Sequence, residues 1–295
     1  MIRILGLAAA LAAGAAAPLP HPAAPAAAQQ DFRWSGRLAR GEQITVKGII
    51  GDIRAEPASG DEVTVTAVRR GRNADRVRIE VVRRSEGVVV CAVYPRDADD
   101  DDGRRWRDDD DDDGRREPRD ACSQRNGSTH GEAPRVDFTV RVPAGVRVSL
   151  ASVTGDVYAS GLHSPVRAAS VSGSVHVSSD GPVQATSVSG DVEATMGRIG
   201  GESLHFNTVS GNVTLRIPAS ADADFSARTL SGEIESDFPL EVGGRGRRDD
   251  DDDDDRGPRV HVRIGQQVHG RLGRGGPDLS VNTVSGDISL VRISR

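Results

Sequence analysis

The stretch SVSGDVEA, residues 187–194, has five close relatives in the same chain. They are SVTGDVYA at 152–159, SVSGSVHV at 170–177, TVSGNVTL at 208–215, TLSGEIES at 229–236 and TVSGDISL at 283–290. Set on their central glycines, and with ITVKGIIGDIRA at 44–55 added, the phrases align Gly51, Gly155, Gly173, Gly190, Gly211, Gly232 and Gly286. From Gly155 onward the spacings are 18, 17, 21, 21 and 54 residues, the last lengthened by an aspartate run. Self-similarity at a nearly fixed period is the mark of units that stack on one another.

Parity suggests how each unit is built. Val188, Gly190, Val192 and Ala194 share one face of an extended strand, and Ser187, Ser189, Asp191 and Glu193 share the other. This assigns the valines and the glycine to the inside. A glycine packs poorly there, so it belongs where the strand bends or where another backbone comes close. A shorter alternating piece precedes each phrase: Val166-x-Ala168, Val183-x-Ala185, Leu204-x-Phe206, Phe225-x-Ala227 and Leu279-x-Val281. The next apolar residue then follows three positions later, not two, which predicts a corner or bulge between the two pieces. Strand, corner, glycine-bent strand and polar return make one coil of a β-solenoid. The fold expected is all-β: a β-solenoid (β-helix-like) of short repeats with an N-terminal β portion. A meander of hairpins is the alternative, since Ser-Gly-Asp also makes a tight turn.

Stacked coils would align like positions. The residues after glycine read Asp156, Ser174, Asp191, Asn212, Glu233 and Asp287, and those before it Thr154, Ser172, Ser189, Ser210, Ser231 and Ser285. Facing aspartates repel, so such a ladder is either a cation-binding stripe or a solvated turn edge.

These repeats resemble a bacterial family of β-strand-repeat proteins labelled "putative adhesins", a domain of unknown function. The resemblance covers residues 32–294 and is strongest in VDFTVRVPAGVRVSLASVTGDVYASGL (136–162) and GRLGRGGPDLSVNTVSGDISL (270–290). It implies an exported solenoid-like domain and an adhesin-like role, and it specifies no activity.

The N-terminus reads as a leader. Arg3 precedes an apolar run from Ile4 to Ala17, and Ala26-Ala27-Ala28 fits an A-x-A cleavage site before Gln29. No later segment reaches about 18 consecutive apolar residues, so no transmembrane helix is expected after the signal peptide. The divisions expected are a signal peptide (1–28), an N-terminal β portion (29–94), an acidic low-complexity insertion (95–134) and the repeat body (135–295), itself interrupted by an acidic insertion at 243–258. The location expected is outside the cytoplasm: periplasm, outer surface or secreted.

Cys91 and Cys122 are the only cysteines. In an exported chain they most simply form one disulfide across the neck of the first insertion. Two free thiols is the alternative. The net charge of −6 conceals two opposite parts. Runs at 99–102, 108–113 and 249–255 hold 17 aspartates, and without them 27 acids face 38 bases. Such like-charge blocks read as solvated, disordered insertions. Poly-Asp binds Ca²⁺ only weakly when it lacks the fixed ligand spacing of an EF-hand, so no cofactor is expected beyond weak Ca²⁺.

No catalytic, cofactor or metal site emerges. His130, His163, His176, His205, His261 and His269 follow no metal-ligand spacing. Neither a G-x-S-x-G elbow nor a phosphate-binding G-x-x-x-x-G-K-[ST] occurs. A polysaccharide-active solenoid enzyme would need an acid–base pair and aromatic platforms, and Trp34, Trp106, Tyr94 and Tyr158 are too dispersed for that. Basic patches interleaved with base-stacking aromatics are absent, so no nucleic-acid partner is expected. The functional expectation is a non-catalytic envelope protein, structural or adhesive, with a surface partner that the sequence does not identify. The alternative is a cation- or ligand-binding module using the Asp-rich insertions.

Overall fold

The computed structural model describes residues 32–95, 122, 134–239, 241–243, 260–263 and 267–294. Its strands form two sheets of eleven. The first sheet runs, edge to edge, Phe32–Arg37, Glu62–Arg70, Arg135–Val142, Ile53–Pro57, Val157–Leu162, Val175–Ser179, Val192–Met196, Val213–Pro218, Ile288–Ile293, Glu233–Ser236 and Val260–Arg263. The second runs Glu241–Gly243, Gln267–Leu272, Ala223–Ser231, Asp278–Ser285, Leu204–Asn207, Val183–Ser189, Val166–Ser172, Arg147–Thr154, Gln43–Lys47, Gly87–Val93 and Arg78–Arg84.

Each coil lays one strand in the second sheet, turns at its glycine, and lays the next strand in the first sheet. Val183–Ser189, Gly190 and Val192–Met196 are one such coil. Neighbouring coils pair in parallel and in register: Val183 lies beside Val166, and Val192 beside Val175. A hairpin meander would pair antiparallel, so the chain is a β-solenoid. Val, Ile, Leu and Ala suit a pleated, half-buried surface, and their alternation puts one side of every strand between the sheets. Val183 and Ala185 are buried there opposite Val192 and Ala194.

The stack does not follow chain order throughout. The coil made of Asp278–Ser285 and Ile288–Ile293 lies between the coil of Leu204–Asn207 and Val213–Pro218 and the coil of Ala223–Ser231 and Glu233–Ser236. Both ends are finished by antiparallel strands. Arg78–Arg84, Glu62–Arg70 and Phe32–Arg37 close one end, and Gln267–Leu272, Glu241–Gly243 and Val260–Arg263 the other. Such caps cover parallel edges that would otherwise invite further pairing.

The corner differs from its expected place. Val183–Ser189 is one continuous strand, and the chain turns at Gly190. Ser187, expected outside, is buried, and Val188, expected inside, is 45% exposed. The apparent slip in the apolar pattern arises because a hydroxyl, not a methyl, fills the last inward position before the turn.

Candidate functional site

The repeated phrase surrounds one corner, and each of its positions has a distinct physical task. The glycines form a column. A β-carbon built on Gly190 would lie 2.4 Å from the Gly173 carbonyl oxygen, and one on Gly173 2.2 Å from that of Gly155. The column continues through Gly51, Gly211, Gly286 and Gly232, with clearances to the next coil's carbonyl oxygen of 2.0–2.3 Å, and Val136 stands at its first step. Gly190 also has φ +143°, a conformation L side chains rarely adopt. Only glycine permits coils to approach this closely.

Three residues earlier, a hydroxyl serves the same column. Ser187 Oγ donates to the Gly173 carbonyl (2.9 Å), as Ser152, Ser170, Thr208, Thr283 and Thr229 do to the corresponding carbonyl of the neighbouring coil. These hydroxyls are buried. Each meets the requirement that a buried polar group be paired.

The position after glycine forms a third ladder. The Asn212 amide donates to Asp191 Oδ1 (2.8 Å), and the Asp287 amide to Asn212 Oδ1 (2.9 Å). The series runs from Asp137 through Asp52, Asp156 and Ser174 to Asp191, and on from Asp287 to the Glu233 amide. Carboxylates here cap backbone N–H groups along an edge that stays solvent-exposed at Asp191, Glu233 and Asp287. Among the described residues no three His, Cys, Asp or Glu side chains converge on a metal position.

The outer face of the first sheet carries one connected row. The Arg54 guanidinium lies 4.5 Å over the Tyr158 ring, and Tyr158 stacks on His176 with centroids 5.2 Å apart. His176 Nδ1 is 3.1 Å from Glu193 Oε2, and Glu193 also accepts from Arg216. The Arg216 contact chiefly holds the Glu193 carboxyl below its ordinary pKa, with His176 adding to it. Desolvation raises the Tyr158 phenol, helped by its donation to Asp156 Oδ2 (3.0 Å). Elsewhere His163 Nδ1 lies 2.6 Å from Asp180 Oδ2, and His205 and His269 sit on outer strand faces. His130, the His261 side chain and the three aspartate runs lie outside the described residues.

Residues 91–94 are tied twice to residues that follow the first aspartate runs. Cys91 and Cys122 form a disulfide. Tyr94 Oη donates to the Pro134 carbonyl (3.0 Å) and lies 3.3 Å from that of Ile50. Burial pushes the Tyr94 phenol up to about 12. Beside the disulfide is a shallow groove of about 320 Å³, lined by Ile49, Ala151, Val153, Ala169 and Val171 among others. The hydroxyl column, the valine exposure and the carboxylate caps were missed from sequence. The signal was present: Ser or Thr stands three residues before glycine in all six phrases.

Residues 121–267 match the family described as Toastrack DUF4097. A solved structure of a "putative cell adhesion protein" from Clostridium sporogenes is similar at 8% identity, over 89% of this chain and 99% of that one, with a TM-score of 0.43. A "putative adhesin" from Bacteroides fragilis is similar at 11% identity, over 89% and 96%, with a TM-score of 0.29. No curated protein matches the sequence. Among the described residues, no helix is long and apolar enough to cross a membrane.

Proposed function

We propose, from the premise that the chain carries a Toastrack DUF4097 domain of unknown function, that it is an exported, non-catalytic cell-envelope protein with a structural or adhesin-like role. The observation that carries this reading is the in-register repetition of outward positions across seven glycine-cornered coils. Stacked repeats of this kind bind through extended area. The polar groups of the corner are engaged with one another, which makes the surface rigid. The row Arg54, Tyr158, His176, Glu193 and Arg216 offers aromatic and charged groups already held in place, and aromatic and Arg side chains are enriched at interfaces. The leader at 1–28 supports export, and a disulfide suits an oxidising compartment.

The test has two parts. Cell fractionation is expected to recover the chain outside the cytoplasm with Gln29 as its first residue. Beads coated with the chain are expected to retain envelope fragments, severalfold less so when Tyr158 and His176 are both replaced by alanine. A chain retained in the cytoplasm with its leader intact would overturn export. Beads that hold no more envelope than bare beads would overturn the adhesive reading.

A further inference from the structure

Six of the seven large apolar side chains exposed among the described residues occupy one repeat position. Val153, Val171, Val188, Val209, Val284 and Leu230 stand two residues before their corner glycines and are 45–62% exposed. Pairing of the flanking serines and threonines sets them side by side: Ser170 and Ser172 beside Ser187 and Ser189, and Thr229 and Ser231 beside Thr283 and Ser285. Ile49, partly buried, occupies the same position in the first glycine-cornered coil. Six exposed aliphatic residues, continued at one end by Ile49 packed against the core, thus form a stripe on the second sheet.

We propose that this stripe is a self-association surface, and that its occupant is the same stripe of a second copy of this chain. Three observations favour that partner. First, the rows repeat at the strand spacing of about 4.8 Å. A partner that engages every row must share that period, and another copy does.

Second, the flanks are almost free of charge. Ala151, Ala169, Thr186, Asn207 and Asn282 line one side, and Thr154, Ser172, Ser189, Ser210 and Ser285 the other. In its lack of charge this matches an interface core, although serine and alanine are not the residues enriched there. Lys47 and Arg228 occupy the first flank at the two ends, and past the glycines on the opposite side runs an acidic row of Asp52, which pairs with Arg135, then Asp156, Asp191, Asp287 and Glu233. A two-fold axis along the stripe would face like rows and bring each end cation toward the partner's end carboxylate.

Third, the area fits a weak dimer. Seven rows span about 30 Å at the strand spacing. With flanks, two copies would bury roughly 900 Å², below the size of about 1,200 Å² at which stable specific interfaces begin and within the range of weak, transient contacts. The contact would be isologous, as in most symmetric dimers, and dissociate at micromolar concentrations.

Sedimentation of the full chain over a concentration series tests this. Wild type is expected to dimerise, and Val188→Glu, at the centre of the stripe, to weaken the dimer at least tenfold. Circular dichroism melting should show that this variant remains folded. Val209→Cys, on the side of the centre away from the Cys91–Cys122 disulfide, supplies the sole free thiol and is expected to cross-link to its own counterpart. Three results would overturn the proposal: a wild type monomeric throughout, a dimer indifferent to Val188→Glu, or a dimer in which Val209→Cys does not cross-link. A monomeric wild type that floats with phosphatidylcholine vesicles, with flotation lost in Val188→Glu, would assign the stripe to lipid instead.

Discussion

The corner glycines and the exposed valines belong to the same eight-residue phrase, two positions apart, and run side by side up the stack. They answer to different forces. Each glycine meets the backbone of the next coil at distances no β-carbon tolerates. Each valine meets its own kind in neighbouring coils and is otherwise about half exposed. The repeat therefore preserves one residue for the fold and another that the fold scarcely requires. A residue retained where packing does not demand it directs attention to the surface.

Substitutions can break or sharpen that contrast. The largest effect is expected from Gly190→Ala, which places a methyl against the Gly173 carbonyl at a positive φ. A loss of roughly 3–5 kcal/mol, or failure to fold, is expected in urea unfolding. A melt like that of wild type would refute the close approach. Ser187→Ala removes the hydroxyl donor to the Gly173 carbonyl. It is expected to cost about 1–2 kcal/mol, read by the same unfolding curves.

Tyr94→Phe, outside the phrase, tests the tie between Tyr94 and Pro134 and should cost about 1 kcal/mol. Its pH signature is more specific. The folded phenol lies above its ordinary value of 10.0, at about 12. Its contribution is therefore complete below pH 10 and is lost as pH rises toward 12. Thermal melts of wild type should fall across that window, and the fall should shrink in the variant. The smallest effect is expected from Val188→Thr, which keeps the β-branch on an exposed site and should change stability by less than about 0.5 kcal/mol. A large loss would mean that the valine row serves the fold after all.

The period, the all-β class and the solenoid were legible because glycine recurs at coil spacing while apolar residues alternate at strand spacing. The inside and outside of the corner were not. Hydrophobicity assigns Val188 inward and Ser187 outward, yet the corner exposes a backbone carbonyl to the interior, and a buried hydroxyl satisfies it. The ladder after glycine was legible only as an edge, for a related reason. Sequence shows the charge of Asp191 but not the neighbouring coil's amide that its oxygen accepts. The position of the coil at 278–293 could not be read either, since its phrase resembles all the others and register alone decides where it docks.

That late coil has a consequence in time. Residues 223–236 are synthesised before 278–293, yet they reach the stack only through them, because the later coil separates them from the coil of 204–218. A chain emerging in order can add coils as far as residue 218 and must then wait. Its growing edge remains open until the later segment arrives and bridges the gap, and the two coils are then secured almost together. Completion of this end thus depends on the last segment of the stack, and a chain interrupted before residue 278 lacks an inner coil, not an end one.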